Sequence, residues 1–302
     1  MTMENQTSSQ QTLFVLDGWN RKILAFSADG SSNSVVLENC GGTPDGIALD
    51  ADKRHIYWTN MGNHYDQNDG YIERVDFDGS NRKIIIPPGT TFTPKQIKLD
   101  LENGLMYWCD REGMRVMRAK LDGSDITTLV QTGHTVSDQL DQTNHCVGIA
   151  LDIKNGYLYW TQKGPSKGGK GRIFRAGLQI PKDEDPAYRE DLELLWENLP
   201  EPIDLDLNVQ TGELYWTDRG AEPKGNSLNR ASVNAGTSTE PEILCSGLKE
   251  AIGLALDIKN NRVFYGDLGG NLYCRKMYED MCCYFFSGEG KYTGIALLAE
   301  GF

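Results

Sequence analysis

The sequence predicts an all-β protein: a six-bladed β-propeller of four-stranded antiparallel blades, its ring closed by pairing the C-terminal strand with the N-terminal strands. Three observations predict it. One short phrase recurs about every fifty residues along a chain of 302. Each copy reads as two strands joined by a tight turn, and the two chain ends carry complementary halves of the phrase. A period of this size marks supersecondary units that cannot bury their apolar faces alone and must stack on neighbours.

The phrase is clearest at residues 151–162, LDIKNGYLYWTQ, and at 207–218, LNVQTGELYWTD. Worn copies follow at 49–60 (LDADKRHIYWTN), 99–110 (LDLENGLMYWCD) and 256–267 (LDIKNNRVFYGD), and residues 13–17 (LFVLD) keep only the second half. Aligned on the first aromatic, the copies place Phe14, Tyr57, Tyr107, Tyr159, Tyr215 and Phe264 in register. In each full copy an apolar run of the GIALD type leads through Lys-Asn, Asn-Gly or Thr-Gly into an aromatic run, which is the pattern of a hairpin. A third strand follows, as in YIERVDF (71–77), MRVMRAKL (114–121) and RIFRAGL (172–178). A DGSN or DGSD turn then leads to a fourth, as in RKIII (82–86) and ITTLV (126–130). Four strands per unit, repeated around a ring, describe a propeller.

The chain ends on KYTGIALLAE, a GIAL run with no aromatic partner after it, while LFVLD near the start lacks the run before it. Pairing Gly294–Leu298 with Leu13–Asp17 completes the sixth blade and removes a sheet edge. Residues 1–11 then read as a polar tail and 12–302 as one domain. The recurring Tyr-Trp pairs read as packing between blades, because a ligand-stacking role has no reason to recur at every blade.

YWTD at 215–218, with YWTN, YWCD, YWTQ and FYGD at the other positions, resembles the YWTD propeller of low-density lipoprotein receptors. The resemblance covers residues 12–298 and implies the six-bladed fold. It also implies protein binding, which is what the receptor propellers do. Receptor versions usually precede a cysteine-rich growth-factor-like module. Here Cys274, Cys282 and Cys283 lie inside the last blade, and the reading is a stand-alone relative.

Composition narrows the partners. The net charge is −13, which works against nucleic acid, since phosphate contacts need clustered Lys and Arg. No stretch reaches the eighteen or so apolar residues of a membrane helix. The polar start lacks the layout of a signal peptide, so the expectation is a cytoplasmic protein with reduced thiols. The seven cysteines show no CxxC pair of the kind that holds zinc. GPSKGGKG (164–171) nearly spells a phosphate-binding loop, but Gly171 replaces the Ser or Thr, and a strand follows where a helix belongs.

Loop lengths point to one working face. Counted from each motif aromatic to its third-strand position (Leu24, Arg74, Arg118, Arg175, Arg230 and Cys274), the second-to-third-strand connection is long in three blades, in segments containing NMGNHYDQNDG, TQKGPSKGGKG and TDRGAEPKGNS. That connection shares a face with the loop entering the next blade, and one such entry, QTGHTVSDQLDQTNHCV (131–147), is also long. Elaboration gathered on one face marks a binding surface. Residues 179–200 read either as an extension of an outer hairpin or as a short helix.

The steps just before each inner strand ring the channel on that face. Two strands break the small-residue rule there: Gln96-Ile97-Lys98 and Asp204-Leu205-Asp206 stand where other blades have Gly and Ala. Repeats break their own rule where function or packing demands it. His145, Asp204, Lys95 and Tyr292 are the candidate proton-handling groups, with the bland reading that carboxylates there accept strand-end amides. Cys146, beside His145, reads as either a nucleophile or an inert buried thiol. The candidate substrate-binding residues are Trp19, Asp45, Gln96, His64, Tyr65, Arg111, Lys163, Arg219 and Glu250.

The expected function is binding of a small organic molecule at the channel mouth, by a metal-independent, cofactor-free enzyme of cyclisation, condensation or isomerisation type. Two alternatives stand beside it: a protein-binding module using the same face, and a calcium-dependent lactonase-like hydrolase. For the last, Asp45 and Asp204 match metal positions, whereas Lys95, Val147 and Ile252 occupy the other steps. A deep pocket at the mouth favours an enzyme, and a broad surface with exposed aromatics favours a protein partner.

Overall fold

Twenty-four strands form six four-stranded antiparallel sheets in a computed structural model, which describes residues 11–299 except 235–238 and 280–281. Blade 1 joins the last strand of the chain to the first three, and blades 2 to 6 each take four consecutive strands in chain order. The expected closure is present: β24 (Tyr292–Leu298) pairs antiparallel with β1 (Thr12–Asp17), with Leu13 opposite Leu297 and Val15 opposite Ile295. The tail lies outside the described residues apart from Gln11. That residue is buried, and its Oε1 accepts Arg262 Nη2 at 2.6 Å, so it belongs to the fold. Among the described residues no helix is long and apolar enough to cross a membrane.

Each letter of the repeat has a physical task. The aromatics of the Tyr-Trp step fill the spaces between blades: Trp58, Trp108, Trp160 and Trp216 are essentially without solvent contact, as are Tyr107, Tyr159 and Tyr215. The threonine ties blades together. Thr161 Oγ1 accepts Gly148 N of its own inner strand at 2.7 Å and donates to Ile203 O of the next blade at 2.8 Å. Thr59 makes the same bridge from Gly46 N to Lys95 O, and Thr217 makes it from Asp204 N to Ile252 O. In the YWCD copy Cys109 Sγ reaches Gly148 O at 3.2 Å. The final polar residue orders the loop entering the blade: Asp17, Asn60, Asp110, Asp218 and Asp267 each accept a backbone N–H from it at 2.9–3.1 Å. The glycine of the inner strands is a close-approach residue. A Cβ on Gly148 would lie 2.1 Å from Ile203 O, and one on Gly46 would lie 2.6 Å from Lys95 O.

The register differs from expectation in one blade. Arg74, Arg118, Arg175, Arg230 and Cys274 sit opposite the motif aromatics as expected, but Phe14 faces Ala25 where Leu24 was expected. The segment from 179 to the start of β15 (Glu193–Leu199) extends an outer hairpin and contains no helix. It lies along β11 (Thr127–Gln131), with Gln131 N donating to Pro186 O and buried Arg189 Nη1 donating to Leu129 O at 2.9 Å. These contacts cover the outer edge of blade 3. The long entry at 131–147 folds into a short α-helix, α1 (Val136–Leu140), and a 3-10 turn. Thr135 caps α1 in a reciprocal capping box with Asp138.

Candidate functional site

The inner strands begin at one end of the ring, and that end is the elaborated face. In all six blades the inner strand is bulged at its first step, between Pro44 and Ile47, Pro94 and Ile97, Cys146 and Ile149, Pro202 and Leu205, Ala251 and Leu254, and Tyr292 and Gly294. Val147, Ile203 and Ile252 form one small apolar cluster with Leu268. Asp45, Lys95, Gln96 and Thr293 form a polar counterpart. Lys95 Nζ donates to Asp45 Oδ1, and Gln96 Nε2 donates to Asp45 Oδ2 at 3.1 Å and to Thr293 O at 3.2 Å. All of these except the half-buried Leu268 are buried, so side chains fill the channel at its mouth.

Four cations converge on this plug. Lys95 and Lys163 are shifted below the ordinary lysine value by burial, against the pull of Asp45 and Glu201 respectively. Lys163 falls to about 8. Arg111 and Arg219 push both lysines further down, and Lys95 also acts on Lys163, which places the four in one electrostatic cluster. Glu201, fully buried, lies between two of them: it accepts Arg219 Nε at 2.8 Å and stands 3.6 Å from Lys163 Nζ. Its other oxygen accepts Lys167 N at 3.0 Å. Arg111 pairs with Glu112 at 2.7 Å and lies 4.9 Å above the ring of Tyr65. The facing carboxylates are thus Asp45, Glu112 and Glu201, with Glu201 shared by two cations. Asp218 lies behind Glu201 and is raised to about 7 by burial, which favours its neutral form.

His145 completes the cluster. Its Nε2 lies 2.9 Å from Gln139 O, the carbonyl of an α1 residue, so this nitrogen carries the proton. Nδ1 is then a bare acceptor, buried and with no partner among the described residues. Burial lowers the His145 pKa, the Gln139 bond and Glu112 oppose that shift, and Arg111 and Lys163 reinforce it.

Other candidates stand elsewhere. Asp204 is held by strand-end amides: Oδ1 accepts Leu205 N at 2.9 Å and Oδ2 accepts Leu254 N of the next blade at 3.0 Å. Deeper in the channel Lys98 meets Asp206 at 3.3 Å. Tyr292 is likewise core: it is buried among Leu13, Ile295 and Phe264, and burial pushes its hydroxyl up to about 12, with Asp17 adding to the shift. Cys146 is an inert thiol, raised to about 12 by burial. Trp19 is 68% exposed beneath Lys291 Nζ at 4.4 Å, and His64 and Tyr65 project from the blade 2 loop into solvent. Glu250 stands apart from Glu201 and pairs loosely with Lys167 at 3.8 Å. Among the described residues no three His, Cys, Asp or Glu converge to hold a metal ion. Beside Asp45 the Lys95 ammonium already takes the cation's place.

Asp204 gives a testable separation of structure from function. Burial raises its pKa to about 7, so the folded protein binds this proton more tightly than the unfolded chain. That contribution to stability is full below about pH 4 and is lost as pH rises through about 7. Asp204→Asn leaves one amide facing an NH2 group and should cost about 1–3 kcal/mol at pH 5. The deficit should shrink toward pH 8 in denaturation measurements, with ligand binding at the mouth unchanged. A deficit that stays flat across this range contradicts the assignment.

No family model matches the chain. It is 44% identical over 288 residues to a protein of the fungus Pyricularia oryzae named low-density lipoprotein receptor-related protein 1, covering 92% of each chain. The chain belongs to the YWTD-type six-bladed propeller family. A second relative in Cochliobolus heterostrophus, named 3-hydroxyacyl-CoA dehydrogenase-like protein LAM1, is 38% identical; the match covers 98% of this chain and 66% of that one. The crystal structure of a nidogen/laminin complex contains a chain that superposes with a TM-score of 0.73 at 20% identity, over 95% of this chain and 98% of that one. At that identity the likeness concerns the YWTD fold alone.

Proposed function

We propose that the mouth binds a small organic anion and that the protein is a metal-independent enzyme acting on it by proton transfer, of the isomerisation, condensation or cyclisation type. The feature that carries this is the grouping of Lys95, Arg111, Lys163 and Arg219 within electrostatic reach of one another, in a chain whose net charge is −13. With Glu201 divided between Lys163 and Arg219, the cluster retains an unmet attraction for a negative group. Arg219 and Arg111 meet the carboxylate or phosphate from solvent. The Lys163 ammonium stabilises negative charge developing on the substrate, and Nδ1 of His145 accepts the proton that leaves. One relative is named a 3-hydroxyacyl-CoA dehydrogenase-like protein, and the acyl-CoA in that name is an anion. The filled mouth implies a shallow seat, so the reading rests on charge and not on a deep pocket.

The reading is tested by thermal-shift and calorimetric titration against small carboxylates and phosphate esters. A ligand that binds the folded state raises Tm in proportion to its saturation. Binding should weaken as pH rises through about 8, where Lys163 loses its proton. Lys163→Met should remove that pH dependence and weaken binding by about 10–100-fold, the equivalent of one charge-assisted hydrogen bond. If no anion in the panel shifts Tm, the second reading, a protein-binding module, becomes the better one. It draws on the exposed rings of Trp19 and Tyr65 on the rim.

A further inference from the structure

In the row of side chains that faces the preceding blade, four of the six positions are apolar or aromatic, and a fifth, Glu73, is held by Arg82, which covers Trp58. Opposite the second-strand residue that carries each motif, the third strand presents Leu24, Glu73, Met117, Phe174 and Tyr273 in blades 1, 2, 3, 4 and 6. In blade 4 Phe174 stacks on Trp160, with centroids 5.3 Å apart and planes 12° apart, and in blade 6 Tyr273 stacks on Tyr265 at 5.0 Å and 9°. Blade 5 has Asn229 opposite Trp216. A cavity of about 600 Å³ opens there, between β15 of blade 4 and the blade 5 sheet, with Trp196, Leu199, Trp216, Asn229 and Ile243 in its wall. Its size falls within the range of small-molecule sites. Trp196 stacks on Trp216 at 5.6 Å, so the inner end is a rigid aromatic wall.

A second observation points to a ligand. Asn229 is 4% exposed, and its Nδ2 donates to Ser227 Oγ at 2.9 Å. Its Oδ1, on the cavity wall, has no partner among the described residues. An acceptor left free on the cavity wall can take a hydrogen bond from an occupant with an N–H in the ring plane. The same occupant would supply the flat ring that blades 4 and 6 build into their own sequence. We propose that the cleft between blades 4 and 5 binds a flat heteroaromatic molecule, its ring beside Trp216 in the place of the absent third-strand side chain and its N–H donating to Asn229 Oδ1. The site is separate from the channel mouth and does not depend on the anion reading.

The test uses the whole protein, with indole as the probe and benzofuran, its isostere without the N–H, as the control. Saturation-transfer NMR and calorimetry should show saturable indole binding, and benzofuran should bind about tenfold more weakly, the effect expected for the loss of one hydrogen bond. Asn229→Phe supplies the missing ring. It should abolish indole binding and raise Tm, while anion binding at the mouth stays as in the native protein. Should the larger ring not be accommodated, Asn229→Met, the side chain that blade 3 carries at this step, should give the same loss of indole binding. Absence of saturable binding to the native protein overturns the proposal. So does indole binding that survives either filled variant, or benzofuran binding as tight as indole.

Discussion

A chain truncated after Glu289 should yield insoluble protein with no cooperative unfolding transition. The deletion removes β24, the innermost strand of blade 1, and its effects spread in two directions. Tyr292 and Ile295 leave the core, and each buried side chain of this kind contributes about 1.5–3 kcal/mol. The strand β1 loses its whole inner ladder, which exposes the backbone edge beneath Leu13, Val15 and Leu16, all of them without solvent contact in the intact ring. The ring also opens on its other side, because Thr293 Oγ1 donates to Pro44 O of blade 2 and its carbonyl accepts Gln96 of blade 3. At the mouth, Gly18 N loses Lys291 O and Asp17 loses Lys291 N. These losses together reach the total stability of an ordinary domain, about 5–15 kcal/mol, and the bared edge invites aggregation. Soluble expression, far-UV circular dichroism and urea unfolding decide the matter. A soluble truncation that unfolds cooperatively would show that closure is dispensable.

The repeat made this closure legible, because complementary half-phrases at the two ends have one economical explanation. It also made the Tyr-Trp packing legible, since a residue that recurs in every blade serves the ring and not one ligand. The single slip in register, at Leu24 against Ala25, fell in the blade whose motif is most worn and offers no Tyr-Trp anchor. At the site the sequence showed where the rule was broken but not what each break meets. Asp204 and Lys98 both depart from the inner-strand pattern. One is held by two backbone amides and the other by a carboxylate, and only three-dimensional neighbours distinguish these outcomes. Arg219 and Lys163 were visible as cations in inserted loops. Glu112, in a short turn without an insertion, gave no such signal, although it anchors Arg111. Asn229 could have been found: aligning the third strands on their motif partners exposes it as the one side chain that is neither apolar nor joined to a covering Arg as Glu73 is.

Glu201→Gln should be the most damaging single change at the mouth, and it should act on stability and on titration at once. The carboxylate is entirely buried and is the common counter-charge of Lys163 and Arg219. It also accepts Lys167 N, which fixes the blade 4 loop over the site. Glutamine keeps the length and one acceptor but leaves two cations without their partner. Removing one member of a buried pair costs about 3–5 kcal/mol. The lower end applies here, because Arg219 is a quarter exposed and Lys163 can shed its proton. That second route gives the decisive readout. Glu201 is the chief influence holding the Lys163 pKa up against burial, so its neutralisation should move that pKa further below about 8. The pH at which organic anions cease to bind should fall with it, while Asp204→Asn leaves that pH where it is. Urea denaturation measures the first effect and calorimetric titration across pH 6–9 the second. A variant that loses stability but keeps the native pH profile would show that Glu201 supports the loop without tuning Lys163. A variant within about 0.5 kcal/mol of the native protein, the range of an ordinary surface change, would dissolve the cationic cluster as a unit and with it the proposed anion site.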